Sequence, residues 1–168
     1  MHYRGLINMN TYFITLVLQN AGVQRANLED LLFEAGCADA LICSYNNTIY
    51  LEFDRTETSA NKAISSAIYD ITAAGLHIAS IQEGGVASMA EIANRAGLTR
   101  AAINNYCKSV RGPGNFPEPL FGLTSGSPLY SWPDVAQWLH QHGKVSHNLV
   151  AVSQAAQQLS PHLAKETN

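Results

Sequence analysis

The sequence predicts an α+β fold in two parts, and three observations carry that expectation. Apolar residues alternate in twos along several short runs of the first half, and between those runs they recur at intervals of three and four. From Ser88 onward, two short helical patterns follow one another across a single glycine, with a proline-rich stretch behind them. A chain of 168 residues, 46 % apolar and 14 % charged, can bury a core and does not have a disordered composition.

The elements follow in order. Residues 1–10 read as an N-terminal tail, with Met9 as an internal start. Tyr12 to Leu18 is rich in aromatic and β-branched residues, which predicts a strand. From Asn27 to Ala35, the residues Leu28, Leu31, Leu32 and Ala35 sit at helical spacing, with Asn27 as the cap and Gly36 as the stop. Ala40–Tyr45 and Thr48–Asp54 make a hairpin around Asn46-Asn47, because asparagine tolerates the positive φ of a two-residue turn. In its second strand Ile49, Leu51 and Phe53 form a buried face and Tyr50, Glu52 and Asp54 a wet one. Ala60, Ala63, Ile64, Ala67, Ile68 and Ile71 make the stripe of a longer helix that Gly75 ends, and His77 to Ile81 is a last strand. The order β-α-β-β-α-β is the ferredoxin-like plan, assigned to residues 11–83, with both helices on one sheet face. Glu83-Gly84-Gly85 is expected to be a linker, since its glycines break both periodicities.

The free sheet face raises the question of RNA. Phe13 and Tyr50 occupy positions where RNA-recognition motifs stack bases, but Glu52 and Asp54 beside them would repel phosphate. These aromatics are therefore expected to cover a subunit or partner interface. An acylphosphatase-like anion cradle would need a dense glycine loop ahead of Arg25, which Gln19 to Gln24 does not supply. No nucleophile, base and orienting group cluster in the sequence, so no enzymatic activity is expected.

Residues 86–143 carry the informative stretch. Ser88 is an N-cap and Glu91 stands three residues on, a capping box. Ile92, Ala93 and Ala96 give the first helix its inner face, Gly97 supplies a turn conformation that a β-carbon would oppose, and Leu98 plugs the corner. Thr99 caps a second helix running to about Ser109, in which Ile103 and Tyr106 face inward. Arg100, Ala101, Asn104, Asn105 and Lys108 then fall on or beside the outward face. Arginine suits guanine and asparagine suits adenine, while Thr99 and the helix N-terminus suit a phosphate. Behind this helix, Arg111 leaves it, Phe116-Pro117-Glu118-Pro119 is extended, and Leu120–Leu123 is expected to pair with Leu129–Ser131 as a hairpin with Ser125 near its tip. Pro133 fits the first turn of a further helix with Val135, Trp138 and Leu139 inside; Trp132 and Trp138 are expected in the core.

The segment from Ser88 to Leu139 resembles the MerR-like and AlpA/excisionase-like winged helix-turn-helix proteins of bacteria and phages. The points of match are Ala90-Glu91-Ile92-Ala93, Ala96-Gly97-Leu98-Thr99-Arg100, the Phe116-Pro117-x-Pro119 turn, and Trp132-x-Asp134-Val135-x-x-Trp138-Leu139. The resemblance implies a sequence-specific double-stranded DNA-binding protein, a transcription regulator, whose recognition helix is Arg100 to Ser109. Thr99, Arg100, Ala101, Asn104, Asn105, Lys108, Arg111 and Ser125 are the expected DNA contacts. The match covers about a third of the chain, and the chain departs from it: a ferredoxin-like segment precedes the motif where MerR regulators place a dimerising coiled coil after it. An antitoxin-like or adaptor protein, whose N-terminal domain binds a protein partner, is the alternative reading.

The charge distribution agrees with the division. Residues 1–87 hold four basic and nine acidic residues, a net of −5, whereas residues 88–144 hold five basic and three acidic ones, a net of +2. Residues 144–168 read as an amphipathic helix through Val145, Leu149, Val152, Ala156, Leu159 and Leu163, which Pro161 ends or kinks; it packs on its own domain or joins two copies. A homodimer would set two recognition helices on half-sites about one helical turn apart. Cys37, Cys43 and Cys107 are read as reduced thiols in a cytoplasmic protein, and His140, His142 and His147 lack the cysteine pair of a zinc site, so neither metal nor cofactor is expected. With no 18-residue apolar run and polar residues interrupting the N-terminal stretch, neither a membrane span nor a secretory signal is expected.

Overall fold

A computed structural model describes residues 8–19, 25–109 and 112–163. Among these the chain is mixed α+β, with six α-helices and a four-stranded antiparallel sheet, and no helix is long and apolar enough to cross a membrane. The chain forms two compact units, with the break after Ile81 and the second unit running Gln82–Ser160.

The first unit follows the element order read from the sequence: β1 (Asn10–Leu18), α1 (Arg25–Glu34), β2 (Ala40–Tyr45), β3 (Thr48–Glu57), α2 (Ala60–Ala73) and β4 (Ile78–Ile81). The strands lie in the order β2-β3-β1-β4, every neighbour antiparallel. Period-two alternation decides the two faces. Tyr12, Ile14, Leu16 and Leu18 on β1 and Leu51 and Phe53 on β3 are buried, and α2 packs on the sheet with Ala60, Ala63, Ile64, Ala67 and Ile71 buried. Leu28 and Leu32 on α1 are buried as well. On the opposite face register pairs Phe13 with Asp54, Thr15 with Glu52 and Cys43 with Tyr50. Asn46 takes the positive φ the hairpin turn requires. One boundary differs from expectation: α1 begins by Arg25, so Asn27 lies inside the helix and does not cap it.

The alternation on β3 also carries a residue the hydrophobic pattern passed over. Arg55 follows Leu51 and Phe53 on the inner face, with its side chain 8 % exposed. Nε and Nη2 donate to the two carboxylate oxygens of Asp39 at 2.8 and 2.9 Å, and Nη1 donates to Asp70 at 2.9 Å and Ser66 at 3.1 Å. Nη2 also donates to the Gly36 carbonyl at 3.3 Å, so each of the five N–H donors of the guanidinium has an acceptor. The group lies 5.1 Å from the Phe53 ring centroid as well. Strand β3, the α1–β2 loop and α2 are thereby tied at one point. Burial pulls the Asp39 carboxyl up, but hydrogen bonds from Arg55 and its charge outweigh this and hold it below its ordinary value. Burial pushes the neighbouring Cys37 thiol up to about 11, so it stays protonated and inert at neutral pH.

The second unit contains a 3-10 turn (Gln82–Gly84), β5 (Val86–Ser88), α3 (Met89–Ala96), α4 (Arg100–Cys107), β6 (Leu129–Ser131), α5 (Trp132–Gln141) and all but the last three residues of α6 (His147–Leu163). Its core is a cluster of Ala87, Ile92, Ala93, Ile103, Tyr130, Trp132, Val135, Ala136, Trp138, Leu139 and Val150. Two expectations are corrected here. Glu83-Gly84-Gly85 is part of this unit and no free linker: a β-carbon on Gly84 would come within 2.8 Å of the Ala156 carbonyl carbon on α6, and the Gly85 carbonyl accepts from the Trp132 N–H. Strand β6 finds its ladder partner in β5; the expected hairpin with Leu120–Leu123 is confined to its Leu129 end, where Leu120 and Phe121 N–H donate to the Leu129 carbonyl and the Leu129 N–H donates to the Phe121 carbonyl. Helix α6 packs on its own unit through Val150, with Val145 and Leu149 against the same cluster, and Pro161 lies within the helix near its end.

Two outcomes test the Arg55 cluster. Arg55→Met should lower unfolding stability by about 3 kcal/mol in urea titration, because it leaves two carboxylates facing a poorly hydrated site. Because the folded-state value of Asp39 is depressed, its contribution is present above the ordinary carboxylate value of 3.8 and is lost as pH falls through the lower folded value. Arg55→Met should therefore show a shallower loss of stability on acidification.

Candidate nucleic-acid interface

Each half of the α3–α4 pair is set by local chemistry. The Glu91 N–H donates to Ser88 Oγ at 3.2 Å while the Ser88 N–H donates to Glu91 Oε1 at 3.3 Å, so two orphan donors of the first turn are satisfied reciprocally. Gly97 ends α3 at φ 65° and ψ 28°, a left-handed conformation in which a side chain is strained although space around it is open. The Leu98 N–H then donates to the Ala93 carbonyl at 3.0 Å and turns the chain. Thr99 caps α4 by accepting from the Ala102 N–H at 3.1 Å.

Packing fixes the rotation of α4. Ile103 is fully buried, and Tyr106 stacks with Phe116, ring centroids 6.4 Å apart, and against Trp138 at 5.2 Å. Trp138 in turn donates its indole N–H to the Gly114 carbonyl at 3.1 Å, anchoring the segment that follows the helix. With that side held, Thr99, Arg100, Ala101 and Lys108 are exposed, and Asn104 and Asn105 are half-buried. Arg100, Asn104 and Lys108 follow one another at intervals of four, which places them on one stripe. No hydrogen bond or ion pair within the described residues engages the side chains of Arg100, Asn104, Asn105 or Lys108. They are donors free for an external acceptor.

Two expectations differ from the structure, and a third lies outside the described residues. The helix ends at Cys107, so it has two turns; Lys108 is its C-cap, and Ser109 takes a positive φ of 55°. Ser125 is exposed at the loop tip, but its hydroxyl already donates to the Gly122 carbonyl at 3.2 Å, which leaves it an acceptor rather than a donor toward a phosphate. Arg111 lies outside the described residues, as do Arg25's side chain and the loop expected to precede it.

Arg95, counted in the positive half, faces inward: its guanidinium lies 5.1 Å from the Trp132 ring centroid and pairs with Glu91 at 3.4 Å. Arg100, Lys108 and Lys144 are the exposed described cations of this unit. Burial, followed by mutual hydrogen bonding, raises the Tyr130 hydroxyl above its ordinary value, and burial does the same for the Cys107 thiol; both are neutral groups of the core near pH 7. His140 turns Nδ1 to the Val145 carbonyl at 3.1 Å, and among the described residues no three His, Cys, Asp or Glu side chains gather as metal ligands.

Compared with known proteins, the chain matches no family model, no curated protein and no solved structure.

The two sides of α4 should respond differently to truncation. Ile103→Ala opens a cavity in a filled core and should cost about 3 kcal/mol of stability. Arg100→Ala and Lys108→Ala should each stay within about 0.5 kcal/mol of the parent, as exposed positions do. Urea or thermal unfolding of the three variants measures this contrast.

Proposed function

We propose that this chain is a sequence-specific double-stranded DNA-binding protein of the winged helix-turn-helix kind, acting as a transcription regulator, with α4 as its recognition helix. The observation that carries the reading is the stripe of Arg100, Asn104 and Lys108. These are polar side chains, Arg100 and Lys108 exposed and Asn104 half-buried, with no partner among the described residues, on a capped helix that the turn at Gly97 holds against α3. A guanidinium and a carboxamide one helical turn apart can read base edges in a major groove. The capped N-terminus of the same helix favours a phosphate beside Thr99, and Lys108 supplies charge to the backbone at its other end. On this reading the pair β5–β6 and the loop 120–129 are the wing and α5 its supporting helix. The first unit, with order β2-β3-β1-β4 behind the succession βαββαβ, fits a ferredoxin-like domain.

An adaptor or antitoxin-like role is the second reading. Phe13, Leu41 and Tyr45 are 62–73 % exposed on the open face of the first unit's sheet, beside Glu52 and Asp54. That mixture of apolar and acidic groups suits a protein partner and repels a nucleic acid. The two readings are compatible in one chain.

Enrichment of bound duplexes from a randomised pool should converge on a motif. Against that duplex, Arg100→Ala together with Asn104→Ala should weaken binding at least tenfold in a gel-shift titration while circular dichroism stays unchanged; unchanged affinity refutes the assigned face. Lys108→Ala should weaken binding to all duplexes alike and flatten the slope of log affinity against log salt by about 0.9, the value for one lost phosphate contact.

A further inference from the structure

The open face of the first unit's sheet carries a definite pattern. Cross-strand partners share a face, so the register sets Leu41, Glu52 and Thr15 in one row, Cys43, Tyr50 and Val17 in the next, and Asp54 with Phe13 in a third. Glu52 and Asp54 therefore stand next to each other along β3, about 7 Å apart. Leu41 flanks the first on the β2 side, and Phe13 flanks the second on the β1 side. Both acids are exposed, and Phe13, Leu41 and Tyr45 are 70 %, 62 % and 73 % exposed, whereas the reverse face of the sheet is covered by α2. Among the described residues the ion pairs are those of Arg55 and Arg95, so neither carboxylate meets a cation there. Large exposed apolar groups gathered in one place mark an interaction surface.

We propose that this face binds an amphipathic helix of a protein partner, one that carries two cations a turn apart among apolar side chains. The proposal rests on the adaptor reading of the first unit and requires nothing of α4. Charge selects the occupant. Two carboxylates attract lysine or arginine and repel the phosphates of a nucleic acid. They also oppose a second copy stacked face to face, which would bring Glu52 and Asp54 toward their own counterparts. Backbone chemistry selects the secondary structure. A lone strand laid across the face of a sheet finds no ladder there, and its N–H and C=O groups would be covered without partners. A helix satisfies its own backbone and presents residues i and i+4 about 6 Å apart, which matches the spacing of the two acids. Its apolar residues then cover Phe13 on β1 and Leu41 and Tyr45 on β2, and the ion pairs enclosed between them are stronger than pairs left in water.

Three helical peptides with the same leucine stripe test this, their polar positions filled by lysine, by glutamine or by glutamate. Titrated into the isotope-labelled whole chain, the lysine peptide should bind and shift the amides of Phe13, Leu41, Glu52 and Asp54, and the glutamate peptide should not bind. Glu52→Gln together with Asp54→Asn should weaken the lysine peptide about tenfold, and Phe13→Ser together with Leu41→Ser should weaken it as well. All four positions are exposed, so each double variant should keep the parent circular dichroism spectrum. A glutamine or glutamate peptide that binds this face as tightly as the lysine one overturns the cationic partner and leaves the adaptor reading standing, as does lysine-peptide binding that survives Glu52→Gln with Asp54→Asn. Lysine-peptide shifts confined to other parts of the chain overturn the site. If no peptide touches the face, the proposal falls and the adaptor reading of this face falls with it. If a double variant unfolds, the three-peptide comparison and the shift map of the parent decide alone.

Discussion

The burial of one side of α4 is the constraint on which the candidate interface depends. A helix of two turns does not hold itself together in water, because the cost of nucleation is not recovered over so few residues. Here Ile103 inserts into the second unit's core and Tyr106 lies among Phe116 and Trp138, so tertiary packing supplies the stability and sets the rotation. With Ile103 and Tyr106 held inward, Ala101, Asn104, Asn105 and Lys108 fall on the opposite side and Arg100 at its margin; Arg100 and Lys108 are exposed and Asn104 is half-buried. The Trp138–Gly114 hydrogen bond holds the chain after the helix, so the same aromatic group orders both the helix and the segment leading to the loop at 120–129.

Charge in this protein has to be read by location. The whole chain is net negative at −3, which by itself argues against a polyanionic ligand. Its basic residues divide into two kinds. Arg55 and Arg95 face inward, each against an aromatic ring and a carboxylate, where they connect elements of their own unit. Arg100, Lys108 and Lys144 are exposed and can act on something outside. Acidic Glu52 and Asp54 lie on the face of the first unit's sheet opposite its core, in register with Thr15 and Phe13.

Much of this was legible in the sequence wherever a single residue type has one physical use. Ser88 with Glu91, Thr99 and Gly97 mark helix ends because only such residues satisfy the orphan donors or accept a left-handed backbone there, and the structure has all four in those roles. Period-two and period-three-to-four patterns placed the elements of the first unit and their order. The remainder was hidden for identifiable reasons. Arg55 keeps the parity of Leu51 and Phe53, but a hydrophobic pattern discards a cation, and its acceptors Asp39 and Asp70 are distant in sequence. The glycines at 84 and 85 looked like a linker because close backbone approach to α6 leaves the same signature as flexibility. The β5–β6 pairing joins segments more than forty residues apart, and three-residue strands carry no periodicity. The end of α4 at Cys107 was also beyond reach, since Lys108 and Ser109 are compatible with a further turn.

The most direct test of the central claim is a map of where duplex DNA touches the chain. Backbone amide resonances of the isotope-labelled whole protein, followed during titration with a duplex enriched from a random pool, provide it. The account predicts that the largest shifts fall from Thr99 to Lys108, with smaller ones in the loop near Ser125 and little change on the first unit's sheet. Saturating duplex that leaves Thr99 to Lys108 unperturbed, or that shifts Phe13, Tyr50 and their neighbours in its place, would contradict it.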